Sequence, residues 1–205
     1  MKTVILANGS YPSHSVPLRL LAGADLIVCC DGAAEKLVAH GMEPGAIVGD
    51  LDSVSPELRK KYAKVLYPDN DQETNDLTKA VRWCLSEGIK EIAVVGATGL
   101  REDHTLANIS LLAEYSRDTK VKMYTDTGIF ESFDRTVTLE SFPGQQVSVF
   151  SITPETAITS EGLRWPLRDL KLMNWWQGTL NEAEEESFTV EFERGQLIIF
   201  MEYPG

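Results

Sequence analysis

Two aspartates one residue apart, Asp50 and Asp52, follow the apolar run Ala46-Ile47-Val48 in the stretch Gly49-Asp50-Leu51-Asp52-Ser53. An apolar run of this kind reads as the end of a buried strand. In extended backbone, alternate side chains point the same way, so the pair would aim two carboxylates at one spot. Like charges that close repel unless a cation lies between them, and Mg²⁺ takes hard oxygen ligands. Alone, an Asp-x-Asp is more often a polar turn with solvated carboxylates, because aspartate is usually exposed. Three further polar clusters follow strand-like runs and weigh against that: Asp31-Gly32, Asp71-Gln72-Glu73-Thr74-Asn75-Asp76, and Gly96 through His104. Ligands of open α/β sheets bind beyond the carboxyl ends of the strands, and one shared edge would gather all four clusters.

Each cluster has a structural explanation beside the chemical one. Asp76 at a helix start is favoured by the macrodipole, with Thr74 or Asn75 as the cap. Lys79, one turn on, would pair with Asp76 or reach a phosphate. In Gly96-Ala97-Thr98-Gly99-Leu100-Arg101-Glu102-Asp103-His104, two glycines permit close backbone approach, the following helix offers N–H groups, and Arg101 supplies a fork for phosphate. The order is neither that of a P-loop nor that of a dinucleotide fold. His104 reads as a capping or hydrogen-bonding residue, since no nucleophile shares its loop. Trp165, Trp175 and Trp176 fall in the loop-like stretch Gly162–Gly178 and would either fill a core or stack on a flat or cationic ligand.

The elements that must position these residues alternate through the first two thirds of the chain. Strands are expected at Thr3–Ala7, Leu26–Cys30, Ala46–Val48, Val65–Tyr67, Ile92–Val95 and Val121–Tyr124. Helices are expected around Leu18–Ala22, over Ala33–His40, from Ser55-Pro56 to Tyr62, over Asp76–Ser86, and from Asp103 or Thr105 to Tyr115. Leu77, Ala80, Val81, Cys84 and Leu85 form one apolar helical face. Fully apolar strands alternating with helices imply a parallel sheet covered on both faces, a three-layer α/β domain. After about Asp126 only short strand-like runs remain: Phe130–Phe133, Val137–Leu139, Gln146–Ile152, Ala157–Leu163, Phe188–Phe192 and Leu197–Met201. They predict an all-β sandwich or barrel, with domains at 1–130 and 131–205. Glu182–Glu186 reads as a solvated acidic loop.

Composition narrows the function classes. The chain has 205 residues, 43% hydrophobic and 24% charged, with a net charge of −12. That charge argues against a general nucleic-acid binder but permits a nucleotide site offset by a metal and local cations. Cys29, Cys30 and Cys84 are an odd set in apolar surroundings, as expected of buried thiols in a reducing compartment. The N-terminal apolar run is too short for a signal segment, and no stretch is long enough to span a membrane. A cytoplasmic location is expected.

Taken in order, Asp31-Gly32-Ala33, Gly49-Asp50-Leu51-Asp52-Ser53, Asp71-Gln72 through Asp76 with Lys79, Gly99-Leu100-Arg101-Glu102-Asp103-His104 and Gly162-Leu163-Arg164-Trp165-Pro166-Leu167 resemble the thiamine pyrophosphokinase family along essentially the whole chain. The resemblance implies transfer of a pyrophosphoryl group from ATP to the hydroxyethyl oxygen of thiamine, with Mg²⁺, in a homodimer whose active site lies between subunits. It implies a metal on Asp50, Asp52 and Asp76, with Asp103 joining them as catalytic carboxylates. ATP would be met by Asp31, Gly32, Asp50, Ser53, Lys79, Thr98 and Arg101. Thiamine would be met by Gln72, Asp103, His104, Trp165 and Asn181. Two positions depart from the family pattern: Asn75 stands where threonine is usual, and Leu180 where serine precedes Asn181-Glu182. The Asn75 amide still donates a hydrogen bond, whereas Leu180 removes a hydroxyl from the thiamine side. The rival readings are an aspartyl-phosphate phosphatase, an Asp-x-Asp glycosyltransferase, and a silent thiamine- or nucleotide-binding module.

Overall fold

The computed structural model describes residues 1–204. Six strands, β1 (Thr3–Leu6), β2 (Leu26–Cys30), β3 (Ala46–Gly49), β4 (Leu66–Pro68), β5 (Glu91–Val95) and β6 (Lys120–Tyr124), pair in parallel in the order β6-β5-β1-β2-β3-β4. The central strands β1 and β3 are buried at every position because both faces are covered. On one face, helices α4 (Asp76–Ser86) and α5 (Glu102–Tyr115) close a core around Ile5, Val28, Val81, Cys84 and Leu112. On the other, α1 (Ser15–Ala22), α2 (Ala33–Ala39) and α3 (Pro56–Lys61) pack near Leu6, Leu37 and Ile47. This is the expected three-layer α/β unit.

The remaining strands form the expected sandwich, with one feature the pattern did not contain. Strand β7 (Gly128–Phe133) turns back antiparallel on β6, and β14 (Leu197–Glu202), β9 (Gln146–Ser151) and β12 (Asn181–Glu182) extend the same sheet to ten strands. The facing sheet is β11 (Leu170–Lys171), β10 (Ala157–Glu161), β13 (Ser187–Glu191) and β8 (Val137–Glu140). Phe188, Ile158, Leu172, Val149 and Leu197 fill the space between the two layers. Helix α5 spans the junction: Gln196, at the foot of β14, donates to the Ala113 carbonyl and to Ser116 Oγ. The α/β unit and the sandwich therefore share one backbone sheet.

All the helices and strands expected from the pattern are present. Strands β11 and β12, two residues each, are additional, too short and too polar for period-2 alternation to register. The acidic run is split accordingly: Glu182 lies in β12 and pairs with Arg164 at 3.2 Å, while Glu184–Glu186 are exposed. Ser55 caps α3 through Leu58 N with Pro56 at its first position, as the sequence predicts. All three cysteines are buried and free, and burial pushes the Cys29 and Cys84 thiols up to about 12. Among the described residues no helix is long and apolar enough to cross a membrane.

Candidate active site

The carboxyl ends of β1, β2, β3, β4 and β5 deliver five loops to one cleft of about 410 Å³. Asp50, Gln72, Asp76, Lys79, Thr98, Arg101 and His104 line it, and Asp31 and Asp52 flank Asp50. Single oxygens of Asp31, Asp50 and Asp52 lie within 4.8 Å of one another.

Convergence of Asp50 and Asp52 arises differently from the strand-period argument. Strand β3 ends at Gly49, and Leu51 adopts φ 67°, so the pair sits on a turn. Asp52 N donates to Asp50 Oδ1 at 3.1 Å, and Ser53 Oγ donates to Asp52 Oδ1 at 2.9 Å. Leu51 is buried as the anchor of this turn, which puts both flanking carboxylates on the same side. Three neighbours hold it: Arg59 donates to the Leu51 and Val54 carbonyls, Glu35 accepts from Ser55 N at 2.8 Å, and Asp31 Oδ2 accepts from Ser53 N at 3.2 Å.

Asp31 is the least ordinary member. It is 2% exposed, at φ 43°, and its Oδ1 is buried with no hydrogen-bond partner among the described residues. Burial pushes its carboxyl pKa up, the Ser53 hydrogen bonds oppose this, and the charges of Asp76 and Asp50 add to it. A buried, orphaned carboxylate oxygen beside two more carboxylates is a donor set suited to a hard divalent cation. Asp76 stands across Gly49, where a Cβ would meet Asp31 Cβ at 2.9 Å and Asp76 Oδ1 at 3.4 Å. Its carboxylate is bound to Lys79 Nζ at 3.1 Å. Lys79 is 4% exposed; burial disfavours its charge, but the Asp76 hydrogen bond and the Asp76, Asp50 and Asp69 charges outweigh this and raise its pKa. The structure thus keeps a buried ammonium charged at the cleft wall.

The glycine-rich loop after β5 lies against the loop after β1, whose Asn8-Gly9-Ser10 looks in sequence like an ordinary strand end. Gly9 N donates to Gly96 O at 2.7 Å and Ser10 N to Thr98 O at 2.8 Å. Lys36 of α2 reaches up to the Asn8 and Gly9 carbonyls at 3.1 and 2.6 Å. Helix α2 therefore fixes two site loops at once, through Lys36 and Glu35. The only local signal for this was an Asn-Gly-Ser ending at a strand terminus. Arg101 and Asp103 form an exposed fork, Nε to Oδ1 at 3.0 Å, which holds the Asp103 carboxyl down at about 2. The cation expected for phosphate and the carboxylate expected for thiamine therefore neutralise each other here. His104 is exposed on the cleft, and its backbone N–H donates to Asp103 Oδ1.

Asn75 explains its own departure. Its Oδ1 caps α4 through Thr78 N at 2.9 Å, while its Nδ2 donates to Asn108 Oδ1 at 3.1 Å. Asn108 in turn donates to Ala97 O at 2.9 Å. Threonine could cap the helix but offers no second N–H to tie α4, through α5, to the glycine-rich loop.

The sandwich residues lie elsewhere. Trp165 is 54% exposed, under the Arg164 guanidinium at 5.1 Å. Asn181 is buried, accepting from Trp165 N at 3.1 Å and donating to Trp165 O at 2.7 Å, so its amide positions Trp165. Leu180 points outward at φ 57°. Trp175 takes an intermediate role, edge-on to Phe150 with its indole N–H on Ser151 O at 3.2 Å, while Trp176 is exposed.

Carboxylates, a buried ammonium and a glycine-rich loop at the carboxyl edge of a parallel sheet define the class: an α/β phosphotransferase bearing a β sandwich. A family model described as thiamin pyrophosphokinase, catalytic domain, matches residues 18–125, and one described as thiamin pyrophosphokinase, substrate-binding domain, matches residues 128–200. The chain belongs to the thiamine pyrophosphokinase family, whose function is pyrophosphoryl transfer from ATP to thiamine. Thiamine pyrophosphokinase 1 of Oryza sativa subsp. japonica is 30% identical over 91% of this chain and 82% of its own. Thiamine pyrophosphokinase 1 of Arabidopsis thaliana is 27% identical over 92% and 81%. In fold, the chain superposes on the crystal structure of thiamine pyrophosphokinase from Bacillus subtilis with a TM-score of 0.80 at 22% identity, covering 99% of this chain and 100% of that one. The yeast thiamin pyrophosphokinase structure gives 0.81 at 19%, covering 98% and 85%. The phosphatase, glycosyltransferase and silent-module readings find no support among these relatives.

Proposed function

We propose that the chain carries out this transfer in the cleft beyond β1, β2, β3, β4 and β5, with ATP and Mg²⁺ in the α/β unit and the thiamine ring met by the sandwich of a second copy. The observation that carries the reading is the set of three carboxylates around the orphaned Asp31 Oδ1, facing a buried Lys79. Asp50, Asp52 and Asp31 fit a divalent cation, with Asp76 next to them across Gly49. When bound, Mg²⁺ offsets phosphate charge and favours departure of AMP from the β-phosphorus. Lys79 adds a fixed positive charge at the cleft wall, where low dielectric makes it worth more than in water. The carboxylate of Asp76 keeps that charge in place. Arg101 leaves Asp103 for a phosphate when one enters, and the freed Asp103, with Gln72 and His104, faces the incoming alcohol. Asp31, Gly32, Ser53 and Thr98 shape the loops around the nucleotide.

Distance supports a homodimer. Seven strands lie between β3, which carries Asp50, and β12, which carries Asn181 and holds Trp165. At ~4.8 Å per strand that separation is roughly 38 Å. A thiamine bound by Trp165 cannot present its hydroxyl to the Asp50 loop of the same subunit, whereas a second subunit can bring the two together. A soluble, cytoplasmic dimer without nucleic-acid partners is the corresponding cellular form.

Mixing subunits tests this. Asp52→Asn and Trp165→Ala damage opposite halves of one composite site. Each homodimer is expected to be poorly active at low thiamine, Trp165→Ala through weaker thiamine binding with ATP affinity nearly unchanged. Subunit exchange should restore roughly a quarter of wild-type rate, because half of the dimers then carry one intact site. No recovery after verified exchange would place both residues in the same subunit's site or remove Trp165 from it.

A further inference from the structure

Burial does not account for helix α3. It has only six residues, too few to be stable alone, and none of them is fully buried. Ser55 Oγ, accepting from Leu58 N at 3.3 Å, and the proline at its first position fix where it starts. What the helix delivers is Arg59, in its last turn. Arg59 Nε donates to Val54 O at 2.9 Å, and Nη2 donates to Leu51 O. Leu51 O also accepts from Val54 N at 3.2 Å, which closes the turn Leu51-Asp52-Ser53-Val54. One guanidinium thus grips both ends of the turn that carries Asp52.

We infer that Arg59 is a positioning residue for the divalent cation, its fork holding the turn so that Asp31, Asp50 and Asp52 keep the spacing a cation requires. The inference rests on the metal assignment above and adds which residue sets the geometry of the ligands. Leu51 is the strained point. Its φ of 67° lies in the left-handed region, which is costly for a residue with a side chain and persists only where the surroundings impose it. Burial fixes the Leu51 side chain, and the Arg59 fork fixes its carbonyl.

The grip reaches the acids through planar peptides, because holding a carbonyl also orients the N–H of the same unit. The unit whose Leu51 carbonyl Arg59 holds presents Asp52 N to Asp50 Oδ1 at 3.1 Å. The unit whose Val54 carbonyl it holds presents Ser55 N to Glu35 Oε1 at 2.8 Å. Between them, Ser53 N meets Asp31 Oδ2 at 3.2 Å. Arginine suits this task, since its rigid fork spans two acceptors where the ammonium of a lysine is a single point charge on a flexible stem. Arg59 is itself exposed and does not line the cleft, so truncating it opens no hole in the core and removes no wall of the site.

Titration of the nucleotide-free protein with Mn²⁺, which takes the same oxygen donors as Mg²⁺, tests this in Arg59→Ala and Arg59→Lys. The paramagnetic resonance signal of the free ion reads binding, and the melting temperature reads the fold. The Kd for Mn²⁺ should rise about tenfold in both variants, the scale on which partners behind the ligands act on metal affinity. A merely structural arginine would lower the melting temperature and leave that Kd alone. In turnover assays the half-saturating Mg²⁺ concentration should rise in step, with the KM for thiamine unchanged. A rise in Kd of less than about threefold in Arg59→Ala would overturn the inference whatever the melting temperature, as would full recovery of affinity by Arg59→Lys or an equal rise in the KM for thiamine. Should Arg59→Ala fail to fold, Arg59→Lys decides on the same readout. Wild-type protein that takes up no Mn²⁺ would bring down the metal-site reading and this inference with it, whereas equal binding by wild type and variants would sink this inference alone.

Discussion

Asp52→Asn is expected to lower kcat by at least a hundredfold while leaving the melting temperature close to wild type. The amide keeps the shape of the side chain but removes one charge from a set of three carboxylates within 4.8 Å. Removal of a single electrostatic contributor from a preorganised site commonly costs on the order of 10²–10³ in rate. Stability should hardly change, because Asp52 is exposed and, among the described residues, its carboxylate accepts only from Ser53 Oγ. Loss of one of three like charges would relieve repulsion in the metal-free protein, so any shift should be upward. The Mg²⁺ concentration for half-maximal rate should rise in parallel. Unchanged turnover at saturating Mg²⁺ would show that Asp52 is a loop residue with no part in the chemistry.

Gly9→Ala should damage both stability and activity, for a steric reason. A Cβ at Gly9 would lie 2.4 Å from Gly96 O and 2.5 Å from Thr98 O. Both obstacles are backbone atoms, so no side-chain rotation relieves the clash. The Gly9–Gly96 and Ser10–Thr98 hydrogen bonds must open, and the two loops flanking the cleft move apart. Overpacking of this kind costs about 1–3 kcal/mol, and the upper end is expected where backbone must shift. Urea denaturation reads the stability loss. Activity should fall by more than stability accounts for, since Thr98 and Arg101 ride on the displaced loop. A variant with wild-type midpoint and turnover would mean that the β1 and β5 loops do not meet.

How far the sequence reaches is visible in these same residues. The alternation of apolar strands with amphipathic helices is local, and it defined the layers and the end of the sheet where the acids gather. The partner of each loop is not local. Gly9 reads as an ordinary strand terminus until Gly96 is brought against it from across the sheet. Lys36 and Glu35 look like solvent-facing helix residues until their contacts with the Asn8-Gly9 and Ser55 backbones are known. The Asp50–Asp52 pair was legible as a pair, but the strand-period reason was the wrong one: a buried Leu51 at positive φ makes a turn that alternation cannot express. Asp31 was legible as a strand-end acid near the nucleotide; its orphaned oxygen was not, because burial of one carboxylate atom depends on packing from Gly49 and Ser53.

Resemblance and geometry differ usefully at two places. The expected metal trio was Asp50, Asp52 and Asp76, while the tightest carboxylate group is Asp31, Asp50 and Asp52, with Asp76 engaged by Lys79. Four acids gathered at one end of the sheet leave both arrangements within reach of one cation. On the thiamine side, Asn181 spends its amide on the Trp165 backbone. Leu180 therefore removes a hydroxyl from the outside of a loop whose shape is fixed from within.

The central claim is that these groups together move a pyrophosphoryl unit. The direct measurement is to incubate the purified protein with ATP, Mg²⁺ and thiamine and resolve every nucleotide and thiamine product over time. AMP and thiamine diphosphate appearing one-for-one is the predicted result, and formation of ADP or free phosphate, or no turnover, would contradict it.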